Sequence, residues 1–244
     1  MEKLLDEIES YWSTRTEGYS EVNHKELAGT QKNAWLKVLT SQFPDKPKEE
    51  IRILDIGTGP GFFPVILAEA GYHVDAVDYT EGMLEKAKEN AGELCRNIHF
   101  QRMDAQKLEF EDNTFDVVIS RNLTWNLEHP DVAYREWVRV LKVGGKLLNF
   151  DANWYGYLYE EEQRKAYEND RKNVESNSLD DHYLCTDIER MERIALQVPL
   201  SKIRRPEWDV KTLREAGLLG IHTDTEIWKT VWSCLLYTSP SPRD

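Results

Sequence analysis

The chain has 244 residues, of which 40% are apolar and 31% are charged, and its formal net charge is −13. Because nucleic acids bind clustered basic surfaces, this acidic balance argues against a DNA or RNA partner. The apolar runs are far shorter than the roughly 18 residues of a membrane span, and the acidic amphipathic start does not resemble a signal peptide, so we expect no membrane association.

The chain is predicted to alternate between strands and helices after a helical start. Residues 1–44 have helical character, and Pro44 and Pro47 mark a linker. Strands are predicted at 51–56, 72–77, 97–102, 115–119 and 146–150. Helices are predicted between them at 61–70, 81–94 and 131–142. This order is typical of a doubly wound, mostly parallel sheet with helices on both faces, which binds ligands beyond the carboxyl ends of its strands.

A long excursion follows the fifth strand, over residues 152–207. It includes a strongly charged segment predicted to be helical near 160–175 and a second helix opened by a capping box at 186–189. Insertions at the ligand end of a sheet are typically lids or substrate-binding elements, and a helical hairpin packed on the side of the sheet is the alternative.

The last part of the chain is predicted to complete the core and then to leave it. A helix near 208–217 and a strand-like pattern over 221–232 give a core segment at 208–233. Residues 234–244 break that pattern with a proline- and serine-rich tail. The tail resembles translated sequencing-adaptor read-through, with a natural disordered tail as the alternative. We therefore draw no functional inference from it.

The strongest motif is a glycine loop directly after the first predicted strand, with Gly57, Gly59 and Gly61 ahead of a helix. Dinucleotide sites use G-x-G-x-x-G, whereas the third glycine here comes one residue early. Asp55, two residues before the first glycine, suits a ligand with a positive group and would repel a pyrophosphate. Asp78 ends the second strand, where a carboxylate can accept both hydroxyls of a ribose.

Five motifs in order resemble the class I S-adenosylmethionine-dependent methyltransferases over about residues 45–150, within a predicted core domain at 45–151, and the helix near 208–217 with the following strand resembles them more loosely. They are the glycine loop, Asp78, the segment Met103-Asp104-Ala105 after the third strand, the fourth strand at 115–119, and the helix-to-strand turn at 140–147. The resemblance implies a Rossmann-like fold and S-adenosylmethionine as cofactor, with Asp104 at the adenine amino group and the next backbone amide at the ring. The residues expected at the cofactor are Asp55, Gly57, Thr58, Gly59, Gly61, Asp78, Tyr79, Met83, Asp104, Ala105, Arg121, Asn122 and Tyr19.

The methyl acceptor is expected to lie beside the segment that follows the fourth strand. Some DNA and protein amide methyltransferases place (Asp/Asn)-Pro-Pro-(Tyr/Phe) there, but this chain has Ser-Arg-Asn-Leu-Thr-Trp at 120–125, which disfavours methylation of nucleobase amino groups by that route. The start of the chain resembles the amino-terminal helical lid of small-molecule members, in which an aromatic residue covers the cofactor. The residues expected in the acceptor pocket are Trp12, Arg15, Trp125, Asp151, Asn153, Trp154 and Tyr155, although each aromatic residue could equally belong to a packed core.

Methyl transfer from a sulfonium is an in-line displacement that depends mainly on proximity and orientation, so it implies no particular catalytic side chain. The candidates are Asn122, Tyr155 and His24, although a lone histidine is more often structural. No metal site is expected.

The function predicted is methylation of a small molecule. The alternatives are a protein or RNA methyltransferase, an NAD-dependent oxidoreductase, and a protein that binds S-adenosylmethionine without catalysis. Three scattered cysteines with no C-x-x-C pair favour a reducing cytoplasm. The oligomeric state does not follow from the sequence.

Overall fold

The computed structural model describes residues 4–177 and 187–232, so the predicted tail at 234–244 lies outside the described residues. Its helices are α1 (Leu4–Ala28), α2 (Gln31–Thr40), α3 (Phe62–Glu69), α4 (Glu81–Ala91), α5 (Pro130–Val140), α6 (Glu161–Asn177), α7 (Ile188–Ala195), α8 (Glu207–Glu215) and α9 (Ile227–Trp232). Its strands are β1 (Arg52–Ile56), β2 (His73–Asp78), β3 (Ile98–Arg102), β4 (Phe115–Arg121) and β5 (Leu141–Phe150).

The five described strands form one parallel sheet in the order β3-β2-β1-β4-β5. The order reverses beside β1, because the chain first builds outward through β2 and β3 and then returns to place β4 on the other side. Ligands of such sheets bind at this switch point, beyond the carboxyl ends of the strands. The doubly wound Rossmann-like fold is therefore confirmed, and its switch point lies at the glycine loop.

Alternating side chains of the central strands pack against helices on opposite faces of the sheet. Leu54 and Val118 belong to a core cluster with Trp137 of α5. Ile53 and Val117 belong to the cluster on the other face, together with residues of α2 and α3. This alternation follows from the two-residue period of a strand, and burial on both faces is why these strands are almost continuously apolar.

A third core cluster lies outside the sheet and joins α1 to α7. Ile8 and Tyr11 of α1 pack there against Met191 and Ile194 of α7. Trp125 and Tyr155, from the segments after β4 and β5, complete the cluster. The first half of α1 is thus held over the carboxyl ends of the strands.

One predicted element differs from the structure. The strand expected within 221–232 is wrong, because Ile227–Trp232 form a helix. Ile227 and Val231 are four residues apart and share one side of that helix, and Val231 is buried in the cluster with Trp35. In addition, α1 is one continuous helix through Gly18, because buried side chains recur along its length and tertiary packing outweighs the low helix propensity of glycine.

Candidate functional site

A cavity of about 820 Å³, including the space at its mouth, lies between the carboxyl ends of β1–β4 and the helix α1. The loops after the strands contribute Ile56, Gly57, Gly59, Asp78, Tyr79, Thr80, Met103, Asp104, Ala105, Gln106, Arg121, Asn122, Leu123, Asn126, Leu127 and Glu128. The helices contribute Leu5, Ile8, Glu9, Trp12, Tyr19 and Met83.

The glycine loop forms the floor of the cavity below β1. Gly57 has a φ of +69°, which favours glycine, and a Cβ there would lie 2.7 Å from the Leu123 side chain. The amides of Gly57 and Thr58 both donate to the carbonyl of Val77, at 2.9 and 3.0 Å, which joins the loop to β2. Gly61, with a φ of +90°, precedes α3. The backbone is therefore open to a ligand at Gly57 and Gly59, whereas Thr58 and Gly61 shape the loop and do not line the cavity.

Asp78 is held at the end of β2 with its carboxylate in the cavity wall. Its Oδ2 accepts a hydrogen bond from the Gly59 amide at 2.8 Å, and its Oδ1 accepts one from the Thr80 amide at 2.9 Å. Burial raises the pKa of Asp78, and these backbone donors oppose the rise. Each carboxylate oxygen keeps acceptor capacity for a further donor, as binding of a ribose diol requires.

The loop after β3 is tied to the loop after β4. Oδ1 of Asp104 accepts hydrogen bonds from the backbone amide and the side-chain Nε2 of Gln106, at 2.8 and 3.1 Å. Oε1 of Gln106 accepts a hydrogen bond from the His129 amide at 2.7 Å. No described residue binds Oδ2 of Asp104, so this fixed carboxylate can accept a hydrogen bond from a ligand.

Of two further residues that were predicted at the cofactor, Asp55 lies outside the cavity lining and Arg121 lies within it. Asp55 is buried below the loop and does not line the cavity. Burial raises its pKa to about 7, while the Thr58 hydroxyl and the charge of Arg121 oppose the rise. Arg121 lines the cavity, but its guanidinium pairs with Glu26 of α1 at 2.7 Å and lies over the ring of Phe62.

Aromatic residues of α1 cover the cavity. The rings of Trp12 and Tyr19 meet edge to face at 5.7 Å, and the Tyr19 ring lies against Gly59. Between these two residues in α1, Glu17 pairs with Lys86 of α4 at 2.9 Å. The structure therefore brings Trp12 and Tyr19 together on the α1 side of the cavity.

The predicted acceptor wall at 151–155 requires a correction, because Asp151 does not line the cavity. Its side chain is 1% exposed and pairs with Arg205 at 3.1 Å. Oδ2 of Asp151 also accepts hydrogen bonds from the Thr124 hydroxyl and the Trp125 amide. Arg205 in turn makes a two-pronged pair with Asp209, at 2.7 and 2.8 Å. Asp151 thus fixes the turn after β4, which is a positioning role.

The other predicted acceptor residues lie behind that turn. Trp125 stacks on Tyr155 with ring centroids 5.1 Å apart, and its Nε1 donates to the carbonyl of Asn122. Trp154 donates from Nε1 to Asp151, and Asn153 also lies outside the cavity lining. Trp125 and Tyr155 are core residues of the third cluster because their rings fill the space between α1 and α7.

Arg15 and His24 are the remaining predicted residues that do not reach the cavity. Both are on α1, and His24 is exposed, so the structure gives it no contact with a ligand in this cavity. Asn122, the third catalytic candidate, does line the cavity, with a φ of +56° and an amide that donates to the Phe150 carbonyl at 2.8 Å.

The lining residues that sequence reasoning missed include one group on α1 and one group after β4. Leu5, Ile8 and Glu9 lie on the same side of α1 as Trp12, and the helical spacing of Glu9 and Trp12 was the available signal. Asn126 and Glu128 follow β4 and lie beyond the segment 120–125 that was expected beside the acceptor. That the cavity lining continues past Trp125 could be recognised only from the turn at Thr124–Asn126.

The hydrogen-bond acceptors and aromatic rings that line the cavity suit an adenosine-type sulfonium compound. Asp78 and Asp104 supply fixed acceptors, and aromatic rings at Trp12 and Tyr19 favour a sulfonium cation. Arg121 is the one basic residue among the described residues that line the cavity, and it is already paired with Glu26, so a pyrophosphate would find no cation to bind. The described residues contain no cluster of potential ligands for a metal ion and no helix able to cross a membrane.

Residues 54–149 match the family model described as "Methyltransferase domain". That range contains the glycine loop, Asp78, Asp104 and the turn after β4. Residues 54–149 form a class I methyltransferase domain. Its cofactor is S-adenosylmethionine, in agreement with the hydrogen-bond acceptors and aromatic rings that line the cavity.

Comparison with known proteins finds relatives whose names refer to methyltransferases of quinone biosynthesis. The chain is 39% identical over 97 residues to a demethylmenaquinone methyltransferase of Clavibacter sepedonicus, covering 40% of the chain and 39% of the relative. It is 30% identical over 126 residues to a ubiquinone biosynthesis O-methyltransferase of Coxiella burnetii, covering 51% and 53%. The chain thus matches about half or less of the length of these two relatives.

A solved structure shares the fold over most of the chain. A candidate S-adenosyl-L-methionine-dependent methyltransferase of Methanococcus maripaludis aligns with a TM-score of 0.53 and 22% identity, covering 75% of this chain and 82% of the other. The similarity therefore extends beyond the matched domain, and at this identity it shows the fold alone.

Proposed function

We propose that the chain transfers a methyl group from S-adenosylmethionine to a small-molecule acceptor. The observation that carries the proposal is the position of α1, whose first half roofs the cavity over the carboxyl ends of β1–β4. A roofed cavity suits a small acceptor better than a polymer, and the names of the quinone-related relatives support the same acceptor class. We also propose a cytoplasmic location, on the basis of the scattered cysteines.

The sulfonium of the cofactor supplies an activated methyl group. The part of the protein is then to hold the acceptor in line with that methyl group and to exclude water. In the proposed site, Asp78 binds the ribose hydroxyls and Asp104 the adenine amino group, while Trp12 and Tyr19 cover the cofactor. Asn122 lies at the end of β4 and faces the acceptor.

The proposal is tested with S-adenosylmethionine labelled in the methyl group. The purified chain is incubated with a bacterial cell extract, and the label is measured separately in small molecules, protein and RNA. We expect the label in the small-molecule fraction and a strongly reduced amount with Asp78→Ala. Label confined to protein or RNA would replace the proposal with the corresponding polymer methyltransferase.

A further inference from the structure

Asn126 has a buried amide oxygen with no hydrogen-bond partner, although the residue lines the cavity. The residue is 4% exposed. Eight buried side-chain polar atoms of the described residues have no partner, and Oδ1 of Asn126 is the one that belongs to a cavity-lining residue. An unsatisfied buried acceptor is costly, so its missing donor has to come from outside the protein, as a ligand or a bound water.

The turn that carries Asn126 is held rigidly from behind. The backbone amide of Asn126 donates to the Leu123 carbonyl at 3.0 Å. The Asp151 carboxylate accepts hydrogen bonds from the Thr124 hydroxyl and the Trp125 backbone amide. Arg205, 8% exposed, completes this buried support. The amide oxygen therefore cannot be explained by a loose loop, since the residues on both sides of it are fixed.

Asn126 lies on the acceptor side of the proposed site. The proposed adenosine contacts, Asp78 and Asp104, follow β2 and β3, whereas Asn126 follows β4. The Trp125 ring next to it lies 6.4 Å from the Trp12 ring of α1, which places the turn beneath the first half of that helix. None of the proposed cofactor contacts comes from the turn Thr124–Asn126.

The charges of this part of the cavity are negative. Glu9 of α1 and Glu128 after β4 both line the cavity. Arg121, the one basic residue among the described residues that line the cavity, is neutralised by Glu26 at 2.7 Å. An acceptor with its own negative charge would meet like charges here without a free cation to offset them.

We propose that Asn126 binds the methyl acceptor by accepting a hydrogen bond from its O–H or N–H group, and that the acceptor is uncharged or cationic. This inference rests on the proposed function, and it names the chemical class of the acceptor and a residue that selects it. The hydrogen bond orients the acceptor and satisfies the buried oxygen.

The test uses three variants of the full chain with methyl-labelled S-adenosylmethionine and a methanol extract of bacterial cells. Asn126→Leu removes the oxygen but keeps the branched shape and the number of side-chain heavy atoms, and Asn126→Asp keeps an acceptor oxygen at the same place. Ser201→Ala is the matched control, because Ser201 also has a buried, unpartnered oxygen but does not line the cavity. Binding of S-adenosylhomocysteine is measured by calorimetry for each protein.

We expect Asn126→Leu to lower labelling about tenfold or more, with the affinity for S-adenosylhomocysteine within about twofold of the original, which also shows that the variant is folded. Asn126→Asp should label several-fold better than Asn126→Leu, and Ser201→Ala should match the unaltered chain. The labelled product should pass through an anion exchanger at pH 7, and comparison of hydroxyl-reactive and amine-reactive tagging of the extract separates the two kinds of acceptor.

Four results overturn the inference. They are full labelling by Asn126→Leu, equal loss in Asn126→Leu and Asn126→Asp, a large loss of S-adenosylhomocysteine affinity that would assign Asn126 to the cofactor, and a product retained by the anion exchanger. An unaltered chain that binds S-adenosylhomocysteine but labels no small molecule contradicts the proposed function itself, so the two failures are distinguishable.

Discussion

Replacement of Glu26 by alanine should destabilise the fold by about 3 kcal/mol, because it strands a buried cation. Glu26 and Arg121 join α1 to the end of β4 through side chains that are 8% and 14% exposed, with a contact of 2.7 Å. Removing one partner of a buried pair costs about 3–5 kcal/mol, since the other charge stays desolvated. The rings of Phe62 and Phe63, at 4.6 and 5.3 Å, still face the guanidinium in the variant, so we take the lower end.

An exposed pair of similar geometry provides the control. Lys32 of α2 and Glu69 of α3 meet at 3.0 Å with side chains 28% and 52% exposed, and Glu69→Ala should cost less than about 1 kcal/mol. The free energy of unfolding is measured by urea titration with circular dichroism. A double variant, Glu26→Leu with Arg121→Leu, should be more stable than Glu26→Ala because no charge is left buried. Equal losses for Glu26→Ala and Glu69→Ala would refute the reasoning.

Three further predictions concern carboxylates. Asp78→Ala should weaken S-adenosylmethionine binding by about 1–3 kcal/mol in calorimetry, and an unchanged affinity would remove Asp78 from the site. Asp55, with its pKa raised to about 7, stays protonated in the fold while the unfolded chain ionises above about pH 4, so it should lower the free energy of unfolding between pH 4 and 7 by up to roughly 4 kcal/mol. Asp55→Asn should therefore raise the urea midpoint at pH 8 relative to the unaltered chain, and an equal or lower midpoint would contradict the assignment. Burial raises the pKa of Asp116, but hydrogen bonds from Lys142 and Lys46 outweigh it and bring the pKa to about 2. The stability from this depressed pKa is present above about pH 4 and is lost as the pH falls toward 2, by about 1–2 kcal/mol after allowance for the partly exposed lysines. Asp116→Asn should remove that part of the acid sensitivity in thermal unfolding curves, and an unchanged acid limb would count against it.

The parts of the fold that the sequence could predict are those with local signals. The glycine loop and Asp78 could be located because each directly follows a run of strand residues, and the carboxyl ends of parallel strands meet at one edge. The five strands and the helices between them followed from the same alternation. The helix Ile227–Trp232 was missed because apolar pairs at its two ends fit a strand pattern as well as a helix.

The acceptor side could not be predicted because it depends on contacts between distant segments. Asp151 follows β5 directly, as a pocket residue would. However, its carboxylate pairs with Arg205, 54 positions later, and so faces the segment after β4. No local pattern announces that pair. Asn126 likewise becomes a candidate only when its burial, its missing partner and the roof formed by α1 are seen together.

Calorimetric titration of the purified chain with S-adenosylmethionine and, separately, with NADH tests the central claim most directly. The paired Arg121, the fixed acceptors at Asp78 and Asp104, and the methyltransferase domain at 54–149 all predict saturable binding of S-adenosylmethionine and no binding of NADH. Saturable binding of NADH without binding of S-adenosylmethionine would contradict it.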